Sequence, residues 1–153
     1  NRDIIRFDDV ILWKAEALIE LDRELEALPL INQIRERASV STSLLQDVDG
    51  KPTGKFVIDT YKPGENCTWD NNYARQALRW ERRLEFAMEG FRFFDLVRWG
   101  IAAEYMNDYF ASEKNRREHL REAKFIKNRD EYFPIPKQQI NFSKKLYQQN
   151  YGW

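Results

Sequence analysis

The segment ERRLEFAMEGFRFFDLVRWG, residues 81–100, is dense in charge and in large apolar side chains at once. Leu84, Met88 and Phe91 fall three or four apart, as one helical face requires, and Ala74, Ala77 and Leu78 extend that stripe backwards. Glu81 and Glu85 lie close to the stripe, so charge is expected to enter the interior. A buried carboxylate needs a partner or it takes up a proton. Arg79, Arg82, Arg83, Arg92 and Arg98 stand nearby, and Arg92, Asp95 and Arg98 follow at i, i+3 steps suited to a ladder. Gly90 predicts a kink or a break between two helices, because glycine disfavours a helix interior by about 1 kcal/mol. Gly100 predicts the end of the second helix. The carboxylates read either as general acid–base or metal groups or as an ion-pair network fixing two helices. The excess of arginine favours the network, since guanidinium groups hold acids ionised.

Upstream, Ile11, Ala15, Leu18, Leu21, Leu25 and Leu28 keep a 3.5-type period and predict one amphipathic helix over residues 7–28. Asp8 and Asp9 suit the positive end of that helix. Pro29 suits the first position of a second helix, running to about Ala38 with Leu30, Ile31 and Ile34 inward. The pair reads as a helical hairpin over residues 1–38. The small residues Ala15 and Ala27 give it a tetratricopeptide-like look, and one such unit needs stacked neighbours. Its outer face is therefore expected to be unusually apolar, with Trp13 a candidate.

Residues 39–72 read as a long irregular loop. Serines at 39, 41 and 43 are followed by turn residues Asp47, Asp49, Gly50, Pro52 and Gly54. Phe56, Val57 and Ile58 suit a short strand. Asp47-x-Asp49-Gly50 matches part of a calcium loop, but Leu45 stands where the first ligand belongs, so a simple turn is the better reading. An Asn or Asp near residue 70 is the expected N-cap of the next helix.

After Gly100, Ile101, Ala102, Tyr105, Met106, Tyr109 and Phe110 predict a helix ending near Ser112. Residues 113–124 are expected to continue helically. Between Lys114 and Arg129 stand seven basic residues against the acids Glu118 and Glu122. This is either a polyanion site or a solvated face, and the absence of a reading motif or excess charge favours the latter. His119 lacks the Glu-x-x-His spacing of carboxylate metal sites and reads as a surface residue. Residues 124–133 read as a small β-hairpin, residues 137–141 as one helical turn, and Tyr147, Tyr151 and Trp153 as a docking tail.

The 81–100 segment resembles the signature helix pair of the SusD/RagB family of nutrient-binding outer-membrane lipoproteins. FDDVILWKAEALIEL with INQIRERA, and EYFPIPKQQINFSKKLYQQNYGW, are similar to the family's preceding helices and its C-terminal end. The three motifs stand in the family's order. The resemblance implies a mainly α fold and the C-terminal part of a longer protein, with signal sequence and lipid anchor upstream. It also implies non-catalytic capture of glycans, sometimes peptides, at the outer face of the outer membrane. The captured ligand would pass to a TonB-dependent SusC-like transporter.

Composition sets the outer bounds. The 153 residues suffice for one domain, and 22 aromatic residues argue against disorder. Lys plus Arg equals Asp plus Glu at 25 each, which removes any long-range pull toward nucleic acid. A single cysteine, Cys67, and a single histidine, His119, exclude an intrachain disulfide and a Cys/His zinc site. No phosphate loop, nucleophile elbow or His-Glu-x-x-His is present, and no cofactor is expected. Aromatic rings cover the apolar faces of sugars while amides and acids meet their hydroxyls. Tyr61, Trp69, Asp70, Asn71, Asn72 and Tyr73 supply that mixture and are the candidate ligand contacts. The same residues also suit a plainer role, pinning the loop to the next helix. A protein-binding helical scaffold and a carboxylate-based glycan-processing enzyme are the competing functions.

Overall fold

The structure is a computed structural model and describes residues 5–144 and 146–153. It is mainly helical, and among the described residues β pairing is confined to two isolated bridges, Gln46 with Pro52 and Pro63 with Cys67. Two compact units emerge, Asn1–Ala87 and Met88–Trp153.

In the first unit α1 (Phe7–Glu20), α2 (Glu24–Ser41) and α3 (Asn71–Glu85) each pack on the other two. Ile11, Leu12, Ala15, Leu18 and Ile19 of α1 meet Ala27, Ile31 and Ile34 of α2 in the core. Full burial of each large aliphatic side chain contributes about 1.5–3 kcal/mol.

The hairpin turn falls earlier than its sequence period predicts. α1 ends at Glu20 and α2 starts at Glu24, while Pro29 sits inside α2. Asp22 takes a left-handed conformation (φ 55°). Its N–H donates to Ile19 O and the Arg23 N–H donates to Leu18 O, which closes α1 with paired carbonyl caps. Leu21 and Leu25, counted in the apolar stripe, are exposed as a result. The 3.5 period had continued across a turn by coincidence. Trp13 is 43% exposed, and Val10 is exposed as well.

The loop between α2 and α3 forms no strand. Phe56 and Val57 are exposed and belong to neither of the two bridges. At the calcium-like stretch, Asp47 Oδ1 accepts from the N–H groups of Asp49 (2.9 Å) and Lys51 (2.8 Å). Its carboxylate is thereby spent on a turn.

Asp70 caps α3, accepting from Tyr73 N–H at 2.8 Å. The inward face of α3 runs Ala74, Ala77, Leu78, Glu81, Arg82, a helical spacing whose last turns are charged rather than apolar. Leu84 and Met88, assigned inward from the sequence, point to solvent; Met88 lies beyond the helix at φ 66° and is fully exposed. The expected break at Gly90 is present, with φ 86° there.

The second unit contains α4 (Arg92–Arg98), α5 (Ala102–Glu113) and α6 (Lys137–Phe142). Gly100 (φ 70°) ends α4, donating to Val97 O while Ile101 N–H donates to Leu96 O. Leu96, Ala102 and Phe125 form the buried cluster, ringed by Phe93, Val97, Tyr105, Met106 and Phe110. Helix does not continue after Glu113; turns and a short 3-10 segment at Glu118–Leu120 replace it. Nor do residues 124–133 form a hairpin. The Ile126 N–H that a ladder would use goes to Asp130 Oδ2 (2.6 Å), Asn128 turns left-handed (φ 66°), and Pro134 and Pro136 lack donors. The one donor between those prolines, Ile135 N–H, is taken by Gln149 Oε1 (2.7 Å), and Gln149 Nε2 returns a bond to Ile135 O (2.9 Å). The tail therefore docks mainly through amides. Trp153 adds a bond to Arg129 O (3.2 Å), while Tyr147 and Tyr151 stay exposed.

Candidate functional site

Glu81 and Glu85 of α3 are bonded to arginines from outside that helix. Glu81 Oε1 accepts from Arg35 Nη1 of α2 at 2.5 Å and from the Tyr61 hydroxyl at 3.0 Å. Glu85 accepts from Arg37 Nη2 (2.6 Å) and from Arg6 Nη2 (2.9 Å). Arg6 also donates to Glu85 O (3.1 Å), placing positive charge at the negative end of α3. Asp9 and Arg82 form a further pair at 2.7 Å, each side chain only 2% exposed. In the second unit Asp95 accepts from Arg98 (2.9 Å), as the i, i+3 spacing predicts. Arg92 lies with its guanidinium over the rings of Tyr105 (4.8 Å) and Trp99 (5.7 Å). The sequence pointed to Arg79, Arg82, Arg83, Arg92 and Arg98 as partners, and of these Arg82 and Arg98 pair with Asp9 and Asp95. Arg6, Arg35 and Arg37, which carry much of the network, stand far away in the chain and gave no local signal.

The six candidate ligand residues come together where the loop meets α3. The rings of Tyr61, Trp69 and Tyr73 form a triangle with centroids 5.3, 5.9 and 6.0 Å apart. Arg35 lies over Tyr61 at 4.5 Å. Asn32 grips the Tyr61 backbone from both sides, accepting from its N–H (2.8 Å) and donating to its carbonyl (2.9 Å). Burial, with the Glu81 charge second, pushes the Tyr61 hydroxyl well above the ordinary phenol range.

The six differ in what surface they leave open. Trp69 is 8% exposed, and its Nε1–H donates to Glu24 O (2.9 Å), the first residue of α2. Asn71 Nδ2 donates to Ile19 O (2.6 Å) and Asp22 Oδ1 (3.1 Å), tying α3 to the hairpin turn. Asp70 and Asn72 are exposed, and Tyr61 and Tyr73 are half-buried. The triangle is thus an aromatic platform in which Trp69 is buried and Tyr61 and Tyr73 are half-buried, with exposed Asp70 and Asn72 next to it in sequence.

The family model of the SusD family matches residues 1–153. The chain belongs to the SusD family. Two SusD-like proteins of Formosa agariphila are similar to it. P38 is 35% identical over 113 residues, which cover 69% of this chain and 18% of that protein. P25 is 33% identical over 108 residues, covering 71% and 17%. The chain therefore spans less than a fifth of the curated SusD-like relatives it matches. Among the described residues, no helix is long and apolar enough to cross a membrane.

Proposed function

We propose that this chain is the C-terminal part of a surface protein that captures oligosaccharides and delivers them to a TonB-dependent SusC-like transporter without chemical change. Membership of the SusD family over residues 1–153 carries the reading. The arginine-bonded acids support it: Glu81 and Glu85 are internal struts, unlike two carboxylates flanking a scissile bond with water between them. The protein is anchored to the outer face of the outer membrane by a lipid upstream of these residues. Ligand contact falls to the 61–73 platform. Tyr61 and Tyr73 offer ring surface, Asp70 and Asn72 and the amide oxygen of Asn71 offer polar groups, and the buried Trp69 packs against both tyrosine rings.

The α1–α2 hairpin is a tetratricopeptide-like unit whose exposed Phe7, Val10 and Trp13 pack on further hairpins of the whole protein. That same exposed face favours the second reading, a scaffold that binds only protein. An oligosaccharide and peptide panel on the full-length protein separates the possibilities. Binding of a glycan without cleavage is expected. Cleavage would identify an enzyme, and silence across the panel would leave the scaffold.

A further inference from the structure

One cavity lies within the second unit. It has a volume of about 200 Å³. Asn107, Phe110, Ala111 and Lys114 line one wall, at i, i+3, i+4 and i+7 along a single face of α5 and its C-cap. Leu120, Arg121 and Ala123 form the other wall. Asn107 holds that second wall in place. Its Oδ1 accepts from Phe125 N–H (2.9 Å) and its Nδ2 donates to Phe125 O (3.0 Å). Phe125 belongs to the buried cluster, so the rim is fixed to the core of the unit.

The charge of the cavity is one-sided. Two cations line it and no carboxylate does. Of the acids adjacent in sequence to the lining residues, Glu113 is bonded to Arg117 (3.2 Å) and faces Arg116 (3.7 Å), while Asp108 and Glu122 do not line the cavity. Arg129 is likewise engaged by Asp130. The basic run thus divides. Part of it neutralises local acids, while Lys114 and Arg121 line the cavity. The volume is below the roughly 300–1,000 Å³ of pockets that enclose drug-sized ligands, so the occupant is one ring or smaller. Phe110 and Leu120 supply an apolar surface, and the cations supply donors for a planar or tetrahedral oxyanion.

We propose that this cavity binds a single anionic sugar-sized ring, its carboxylate or sulfate held by Lys114 and Arg121 and its apolar face against Phe110 and Leu120. The sugar identity rests on the glycan-capture reading; the anion preference rests on the cavity alone and survives if that reading fails.

The test is nuclear magnetic resonance titration of the chain with glucuronate, glucose 6-sulfate and glucose. Either anion should shift the Ala123 backbone and Asn107 side-chain amides, and glucose should not. The two anions distinguish a carboxylate from a sulfate source. Lys114→Gln with Arg121→Gln should weaken anion binding at least tenfold, and so should Ala123→Leu, which fills the cavity and keeps both charges. Arg121→Lys should restore part of the affinity. Tyr73→Ala, on the aromatic platform, should leave it unchanged while weakening any long glycan bound there. Equal response to glucose, no response to either anion, or full affinity in the Ala123→Leu chain overturns the assignment.

Discussion

Asp9 and Arg82 meet 2.7 Å apart across 73 residues of chain, both almost fully buried, and so tie α1 to α3. The pair has a definite energetic signature. Removing one partner leaves the other charged and desolvated, which costs about 3–5 kcal/mol, whereas replacing both by apolar groups is far milder. Asp9→Leu and Arg82→Met singly should each sharply lower the urea midpoint. The double variant should recover most of that loss. A double variant no better than the singles would show that Arg82 contributes through packing on Phe86, over which it lies at 5.1 Å, and not through the pair.

Trp69 belongs to the architecture. Truncating a buried aromatic side chain costs about 3–5 kcal/mol, and here the bond to Glu24 O is lost as well. Trp69→Ala should therefore destabilise the chain strongly in thermal melts, whatever it does to ligand binding. An unchanged melting temperature would mean that the ring is not packed as described.

Tyr61 gives stability an alkaline limit. Its hydroxyl stays protonated to higher pH in the folded chain than in the unfolded one, through burial and the adjacent Glu81 charge. The folded state thus holds the extra proton, and its contribution is full below the ordinary phenol value of about 10 and lost as pH rises beyond it. Urea midpoints measured at rising alkaline pH should fall less steeply for Tyr61→Phe than for the parent. Parallel curves would remove Tyr61 from the account.

At Asp22 the backbone is left-handed, a conformation glycine adopts without penalty. Asp22→Gly relieves that strain but gives up the bond from Asn71, worth about 1 kcal/mol net. The two changes oppose each other at similar size, so stability should move by less than about 1 kcal/mol. Asp22→Val, β-branched at positive φ, should destabilise clearly. Indifference to valine would contradict the turn geometry.

The tail is held by Gln149. Gln149→Leu removes both bonds to Ile135 and leaves that N–H without its partner between two prolines. The tail should then be clipped faster by protease, with the helices unaffected in circular dichroism. Cleavage at the parental rate would count against amide docking.

Helices and caps were legible because they repeat or obey local rules. Ala74, Ala77 and Leu78 lie inward as their spacing predicts, although the face continues through Glu81 and Arg82 and not through Leu84 and Met88; Asp70 is a standard cap residue, and Gly100 satisfies a left-handed position. The Asp22 turn was hidden by Leu21 and Leu25, whose spacing fits a helix that does not continue. Phe56 and Val57 have strand-like composition, but a strand needs a partner that composition cannot supply. The candidate platform was legible as a mixture of residue types. Its support was not, since Asn32 and Arg35 reach it from another helix.

Three amides, Asn32, Asn107 and Gln149, each grasp the N–H and carbonyl of one distant residue, Tyr61, Phe125 and Ile135. Irregular segments are thus fastened by single side chains where other folds use a sheet. Such fasteners have a chemical weakness. Hydrolysis of an amide to an acid keeps its shape but exchanges a donor for a negative charge facing a carbonyl. Deamidation at Asn32 or Asn107 during storage would therefore loosen the loop it holds while leaving every helix intact, an ageing route that melting curves dominated by the helices would miss.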